Sequence, residues 1–207
     1  MNVTVVQDSQ TETRRRIVDT ADRLFRDIGY QKTTVADIAK ALRMSPANVY
    51  RFFESKKAIN EAVAERCMAE IEGELSRIAG SRKPAAERFR EAVETYHGMN
   101  AERYTAHHRM HEMVEVAMTE SWEVVSRHIE RVDAIYRRII ADGVASGEFV
   151  VDDVEVATRC AHVALVRFCH PTLIVQCASQ PGPTLGQMID FVLAGLGHRS
   201  RATARRR

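Results

Sequence analysis

Apolar residues recur at spacings of three and four along almost the whole chain, the period of an amphipathic helix. Ile17, Ala21, Leu24, Phe25 and Ile28 form the first stripe, and Gly29 stops it as a left-handed cap. The period places the start of this helix at Thr13 and leaves residues 1–11 as a polar, aperiodic leader. Val35, Ile38, Ala39 and Leu42 form a second, short stripe, preceded by Thr34 and Asp37 in the spacing of a capping box. After the turn Arg43-Met44, Ser45 is a good N-cap and Pro46 takes the first helical position, where a missing N–H costs nothing. These signals predict a third helix from Pro46 to about Phe53. Ser55 caps a fourth, running through Ile59, Val63, Cys67 and Ile71.

The helical period continues beyond it. Gly80-Ser81 is a break, Pro84 restarts a helix to about Arg103, and His107 to Met118 is another. Ser121 opens a long helix with Val124, Val125, Ile129, Val132, Ile135, Tyr136, Ile139 and Ile140 on its apolar side, closed by Gly143 and Gly147. Asp152 caps the next, which reaches about Cys177 across a kink at Pro171. Beyond the loop SQPGPT, Thr184 caps a last helix bearing Leu185, Met188, Ile189, Val192, Leu193 and Leu196. Strand-like alternation is confined to Phe149–Val151. The pattern predicts an all-α fold of about nine helices.

Composition narrows the class. The chain has 207 residues, 45% hydrophobic and 28% charged, enough for one or two domains with a real core. No apolar run approaches the roughly 20 residues that span a bilayer, and the N-terminus lacks the pattern of a secretory signal. Four scattered cysteines without a CxxC pair read as reduced cytoplasmic thiols. The net charge of +2 hides an uneven distribution. Residues 1–60 carry 11 Lys/Arg against 7 Asp/Glu, residues 61–197 carry 14 against 21, and residues 198–207 carry five Arg and no acid. A basic head on an acidic body suggests an anionic partner at the N-terminal end.

Two short helices joined by a tight turn and preceded by a longer one make a helix-turn-helix. Ala36, Ala39 and Ala47 supply the small residues needed where such helices cross. Arg43, Ala47, Asn48 and Arg51 are the candidates for the major groove, with Asn48 suited to adenine and Arg51 to guanine or phosphate. Thr33, Thr34, Lys56 and the Tyr50 hydroxyl are candidates for phosphate, and Ser45 caps the recognition helix.

The stretch GYQKTTVADIAKALRMSPANVYRFFESKKAI resembles the DNA-binding domain of the tetracycline-repressor (TetR) family. The matching positions are Gly29-Tyr30, Thr33-Thr34, Asp37-Ile38-Ala39, Ala41, Ser45, Val49-Tyr50, Phe53 and Lys56. The resemblance implies a DNA-binding domain over residues 1–57, a helical effector-binding and dimerisation domain over 58–200, and a basic tail at 201–207. It implies a homodimeric transcription factor on double-stranded DNA, usually a repressor released by a small ligand. Two recognition helices reading successive major grooves require a palindromic operator. Phe52 departs from the pattern, where Tyr or His is common: a phenyl ring cannot donate to phosphate, but it can pack on sugar or a thymine methyl.

In the body, Tyr96, Met99, His107, Met110, His111, Met113, Trp122 and Phe168 are candidates to line a pocket for an apolar or amphipathic effector. The same residues also serve as plain core or surface. His107 and His111 stand one helical turn apart, a chelating spacing, with Glu112 and Glu115 close. A complete site needs a third or fourth ligand, for which His97 or His170 is the candidate, and no Cys joins the cluster in sequence, so neither a metal nor a cofactor is expected. Cys169 beside His170 reads either as an activated thiolate or as packing. Glycine-rich phosphate loops, GxSxG and HExxH are absent, so no enzyme is expected. Val156, Val163, Val166 and Leu173 on one late helix, with Leu185, Ile189, Val192 and Leu196 on the last, exceed what one covered face needs and predict a dimeric four-helix bundle. The alternative is a helical small-molecule or metal-binding protein whose trihelical head does not bind DNA.

Overall fold

The computed structural model describes residues 2–106 and 110–198, and side chains within 10–103 and 112–198. Among these residues there are ten helices and no strand. In chain order they are α1 (Asn2–Ile28), α2 (Val35–Ala41), α3 (Pro46–Tyr50), α4 (Lys56–Ala79), α5 (Ala85–Ala106), α6 (Met110–Glu120), α7 (Trp122–Ser146), α8 (Val154–Cys169), α9 (Pro171–Gln176) and α10 (Leu185–Gly195).

The departures from the sequence pattern have local causes. Helix α1 begins at Asn2 rather than Thr13. Residues 2–12 hold neither Gly nor Pro, so a helix nucleated by the Ile17–Phe25 stripe propagates backwards. The tenth helix arises at Pro171, which has no N–H to continue α8 but suits the first position of α9. The N-cap of α8 is Asp153, not Asp152; its carboxylate accepts from the N–H groups of Glu155 and Val156. Helix α3 stops at Tyr50, and Phe52 and Phe53 both donate their N–H to the Val49 carbonyl in the turn that follows. Gly143 lies inside α7, and Gly147, at φ 76°, ends it. Around Val150 isolated backbone bonds, from Phe149 N–H to Gly143 O at 3.0 Å and from Val150 N–H to Leu196 O at 2.9 Å, stand in place of a strand.

Contacts divide the chain into two compact units. One gathers Met1–Ala69 and His107–Ser126, the other Glu70–Ala106 and Arg127–Arg207, so α6 groups with the head rather than with the body that starts at residue 58 in the sequence reading. In the first unit, Ile17, Ala21, Phe25, Ile38, Ala39, Val49 and Ile59 are fully buried, and α2 packs on α1 and α3. Arg66 of α4 bridges Asp19 and Asp22 of α1, and Asp22 also takes Arg26 at 2.8 Å.

The second unit is built on Leu75, Phe89, Val93, Val132, Tyr136, Ile139, Ile140, Leu165 and Ile189. The buried Arg88 guanidinium donates to the Ala79 carbonyl at 2.7 Å and to Asp142 at 2.8 Å. Glu148 accepts from the free N–H groups of Ala85 and Ala86 that begin α5. On α10 Ile189 and Val192, and at its C-cap Leu196, are buried within the chain, which corrects their place in the outward face. Val156, Val163 and Val166 of α8 do face outward, and Val150 and Phe191 join them, with Val163 at 71% and Phe191 at 72% exposure. Several of them border a groove of about 490 Å³ between α8 and α10, floored by Ala157, Ala161 and Ala164.

Candidate nucleic-acid interface

Helix α2 starts with both arms of the capping box in place. The Thr34 hydroxyl accepts from Asp37 N–H at 3.1 Å, and the Asp37 carboxylate accepts from Thr34 N–H at 2.9 Å. Bonds from the Thr34 side chain and backbone hold the Asp37 carboxyl below its usual range. The turn into α3 is made by Arg43 at φ 56°, a left-handed conformation that lets Met44 N–H reach back to Ala39 O at 2.9 Å. The Ser45 hydroxyl then caps α3 by accepting from Asn48 N–H at 3.2 Å. Val49 anchors α3 in the core, which leaves Ala47, Tyr50 and Arg51 exposed beside the exposed Arg43. Asn48 and Phe52 are half-buried at the rim.

Two expected phosphate contacts do not fit this geometry. Thr33 is fully buried, and its hydroxyl donates to the Gly29 carbonyl at 2.7 Å, closing the turn after α1. The Lys56 ammonium donates to Tyr30 O at 2.7 Å and Thr33 O at 2.9 Å, with Gln31 O at 3.4 Å and the Tyr30 ring centre at 4.2 Å. An ammonium carries three N–H donors, and here they face three carbonyls of one turn. Burial pushes the Lys56 pKa down, against the opposing pull of Glu112. Lys56 therefore clamps the chain leading into α2. Phe53 is buried, with the Arg14 guanidinium stacked 4.6 Å from its ring centre.

Residues 17–63 match the family described as bacterial regulatory proteins, tetR family, and residues 85–182 match the tetracyclin repressor-like C-terminal domain. The chain belongs to the TetR family. The Staphylococcus aureus negative regulator of the biofilm operon icaADBC, IcaR, is 42% identical over 52 residues, 25% of this chain and 28% of its own length. The match thus spans under a third of that relative. The transcriptional repressor KstR2 of Rhodococcus jostii is 25% identical over 148 residues, 70% of this chain and 72% of its own. The crystal structure of RolR in complex with resorcinol shares the fold, at a TM-score of 0.63 and 20% identity over 97% of both chains.

The effector candidates of this TetR-family chain separate between its two units. Tyr96, Met99 and Phe168 lie in the second, Met113 and Trp122 in the first. Met113 is buried, whereas Trp122, the first residue of α7, is 53% exposed and lines no core. His107 and the side chains of Met110 and His111 lie outside the described residues. Among the described residues no three His, Cys, Asp or Glu side chains gather as a metal site. Burial pushes the Cys169 thiol up to about 12, which removes the activated-thiolate reading.

The second unit holds a polar chain that the sequence pattern did not single out. The Tyr96 hydroxyl lies 2.9 Å from His128 Nε2, and His128 Nδ1 lies 2.8 Å from the Glu72 carboxylate. Tyr96 and His128 are both buried, and Arg131 stands 3.3 Å from Glu72. Burial holds the His128 pKa below its ordinary value, although Glu72 acts in the other direction. The visible signal was a histidine inside the apolar stripe Val124, Val125, Val132 and Ile135. Nearby, His97 and Asn100 bond the carbonyls of Phe168 and Cys169, each at 2.7 Å, which the break at Pro171 leaves without helical partners. Arg167 donates to Cys177 O and Gln180 O and so belongs to the loop after α9.

Proposed function

We propose that this chain is a cytoplasmic, effector-responsive transcriptional repressor that binds a palindromic operator as a homodimer. One observation carries the reading: a doubly capped α2–turn–α3 unit rests on buried Val49 and presents Arg43, Ala47, Tyr50 and Arg51 to solvent. That is the geometry of a recognition helix offered to a major groove. Thr34 and Tyr50 then meet phosphate, Arg51 meets guanine or phosphate, and Asn48 turns toward a base edge. Repression is supported by the named roles of IcaR and KstR2. Among the described residues no helix is long and apolar enough to cross a membrane.

The effector is a small apolar or amphipathic molecule received in the second unit near Tyr96, Met99 and Phe168. The Tyr96–His128–Glu72 chain supplies polar recognition at one end, and the surrounding core is apolar. Dimerisation uses the α8 and α10 face, where Val156, Val163, Val166 and Phe191 lack cover within the chain. The test is a gel shift on DNA flanking the protein's own gene at two salt concentrations, repeated with candidate small molecules. A retarded band that weakens steeply with salt and is abolished by one of them is expected. No retardation at low salt with any flanking DNA sinks the reading in favour of a head that does not bind DNA.

A further inference from the structure

The turn between α1 and α2 is held by side chains from two other helices. Lys56 of α4 takes its carbonyls, as described. The Gln31 N–H donates to the Glu112 carboxylate of α6 at 3.0 Å. At the far end of α6, the Ser121 hydroxyl donates to Glu61 of α4 at 2.6 Å. Burial, with Glu120 and Glu61 facing it, raises the Tyr30 phenol, so the turn's own tyrosine also lies against this part of the first unit. Helix α6 is therefore tied to the head at both ends, and its first turn reaches the segment that leads into the capped start of α2.

We propose that Glu112 is a positioning residue for operator binding, fixing the Gly29–Thr33 turn, and through it Thr34 and α2, from outside the helix-turn-helix. The inference rests on the reading that the head binds DNA. Thr33 N–H and hydroxyl close the turn on Gly29 O, and Lys56 draws the carbonyls of Tyr30 and Thr33 together. None of these bonds uses Gln31 N–H, and Glu112 is its acceptor. The electrostatics make the role testable. A bystander carboxylate near a DNA-binding face repels phosphate, so neutralising it tightens binding to every duplex. A positioning carboxylate acts oppositely on the cognate duplex, because its loss frees the turn that places α2.

The experiment starts by selecting a duplex from a random-sequence pool with the wild-type protein. Binding of that duplex and of a scrambled one is then measured by fluorescence anisotropy for wild type, Glu112→Ala and Glu112→Gln. Melting temperatures and the exchange rate of the Gln31 amide proton are recorded alongside. Glu112→Ala is expected to bind the selected duplex about fivefold more weakly, the size of one lost hydrogen bond. Its affinity for the scrambled duplex should hold or rise, and its Gln31 amide should exchange faster. Glu112→Gln keeps an acceptor oxygen and should restore both the selected-duplex affinity and the amide protection. Equal or tighter binding of the selected duplex by both variants overturns the proposal. So does a loss in Glu112→Ala that falls alike on both duplexes and follows a lowered melting temperature. If the wild type selects no duplex at all, the DNA-binding reading fails first, and this inference with it.

Discussion

The Tyr96 hydroxyl and His128 Nε2, 2.9 Å apart and buried, form the first link of a chain that ends on the Glu72 carboxylate. With Glu72 accepting from Nδ1–H, the neutral imidazole accepts at Nε2 from the tyrosine. Burial lowers the His128 pKa, while Glu72 raises it; His162 and Arg131 add to the lowering. An unfolded histidine takes a proton near pH 6.5, whereas the folded chain resists it. Stability from this site is therefore full above about pH 6.5 and is lost as pH falls from there through the lower folded value. Thermal melts of wild type and His128→Gln across that window check the sign. The variant should lose less on acidification, and parallel curves would exclude His128 as the source.

Gly143 lies on α7 directly beneath Phe149, and a Cβ there would overlap the buried ring. Alanine is the better helix former by about 1 kcal/mol, yet overpacking a fixed ring costs about 1–3 kcal/mol, so Gly143→Ala should lose up to about 2 kcal/mol net. Urea denaturation measures it. The double variant Gly143→Ala with Phe149→Leu should lose less than the sum of the two single changes, because the smaller side chain vacates the space. A strictly additive double variant would mean that the ring already has room to move.

Glu148 takes the N–H groups of Ala85 and Ala86, the opening donors of α5. Burial pushes its carboxyl up, but these two backbone bonds and the Ser146 hydroxyl outweigh it and the net shift is downward. Its contribution is thus present above the ordinary glutamate range and is lost as pH falls through the lower folded value. Glu148→Ala should cost about 1 kcal/mol at neutral pH, the scale of a lost N-cap, and the deficit should shrink on acidification. A deficit that stays constant from neutral to acid pH would show that the carboxylate charge contributes nothing.

What the sequence made legible was local. Thr34 with Asp37, Ser45 with Pro46, and Thr184 as the cap of the last helix act within one helical turn, so spacing alone finds them. The family pattern in residues 29–57 likewise belongs to one contiguous unit. What escaped depends on partners far along the chain. Lys56 is claimed by carbonyls at Tyr30 and Thr33, and His128 by Glu72 and Tyr96. A basic residue beside a recognition helix suggests phosphate until such partners are seen. On α10 both faces carry apolar residues, so periodicity could not tell buried Ile189 and Val192 from exposed Phe191.

Val163 and Phe191 are the outward apolar residues most exposed on the α8 and α10 face. If that face pairs two copies, Val163→Asp or Phe191→Asp buries charge in an apolar seam and should yield a folded monomer. Light scattering at micromolar concentration should show half the wild-type mass with an unchanged helical circular dichroism spectrum. Operator affinity should drop with it, since one recognition helix holds only half of a palindrome. A variant that remains dimeric places the interface elsewhere.

The head should separate three kinds of contact when affinity is followed against salt. Asn48→Ala should cost about 1–3 kcal/mol at one base pair and relax the preference there, leaving other positions unchanged. Arg51→Ala should lower the salt slope by about one if its guanidinium rests on phosphate, or relax a guanine position if it reads a base. Lys56→Ala is the informative case. Its ammonium is held by Tyr30, Gln31 and Thr33, so its loss should loosen the turn before α2, lower the melting temperature and weaken binding. Because no phosphate contact disappears, the salt slope should stay at the wild-type value. A slope that falls by about one, with the melting temperature unchanged, would return Lys56 to the DNA backbone and dissolve the clamp.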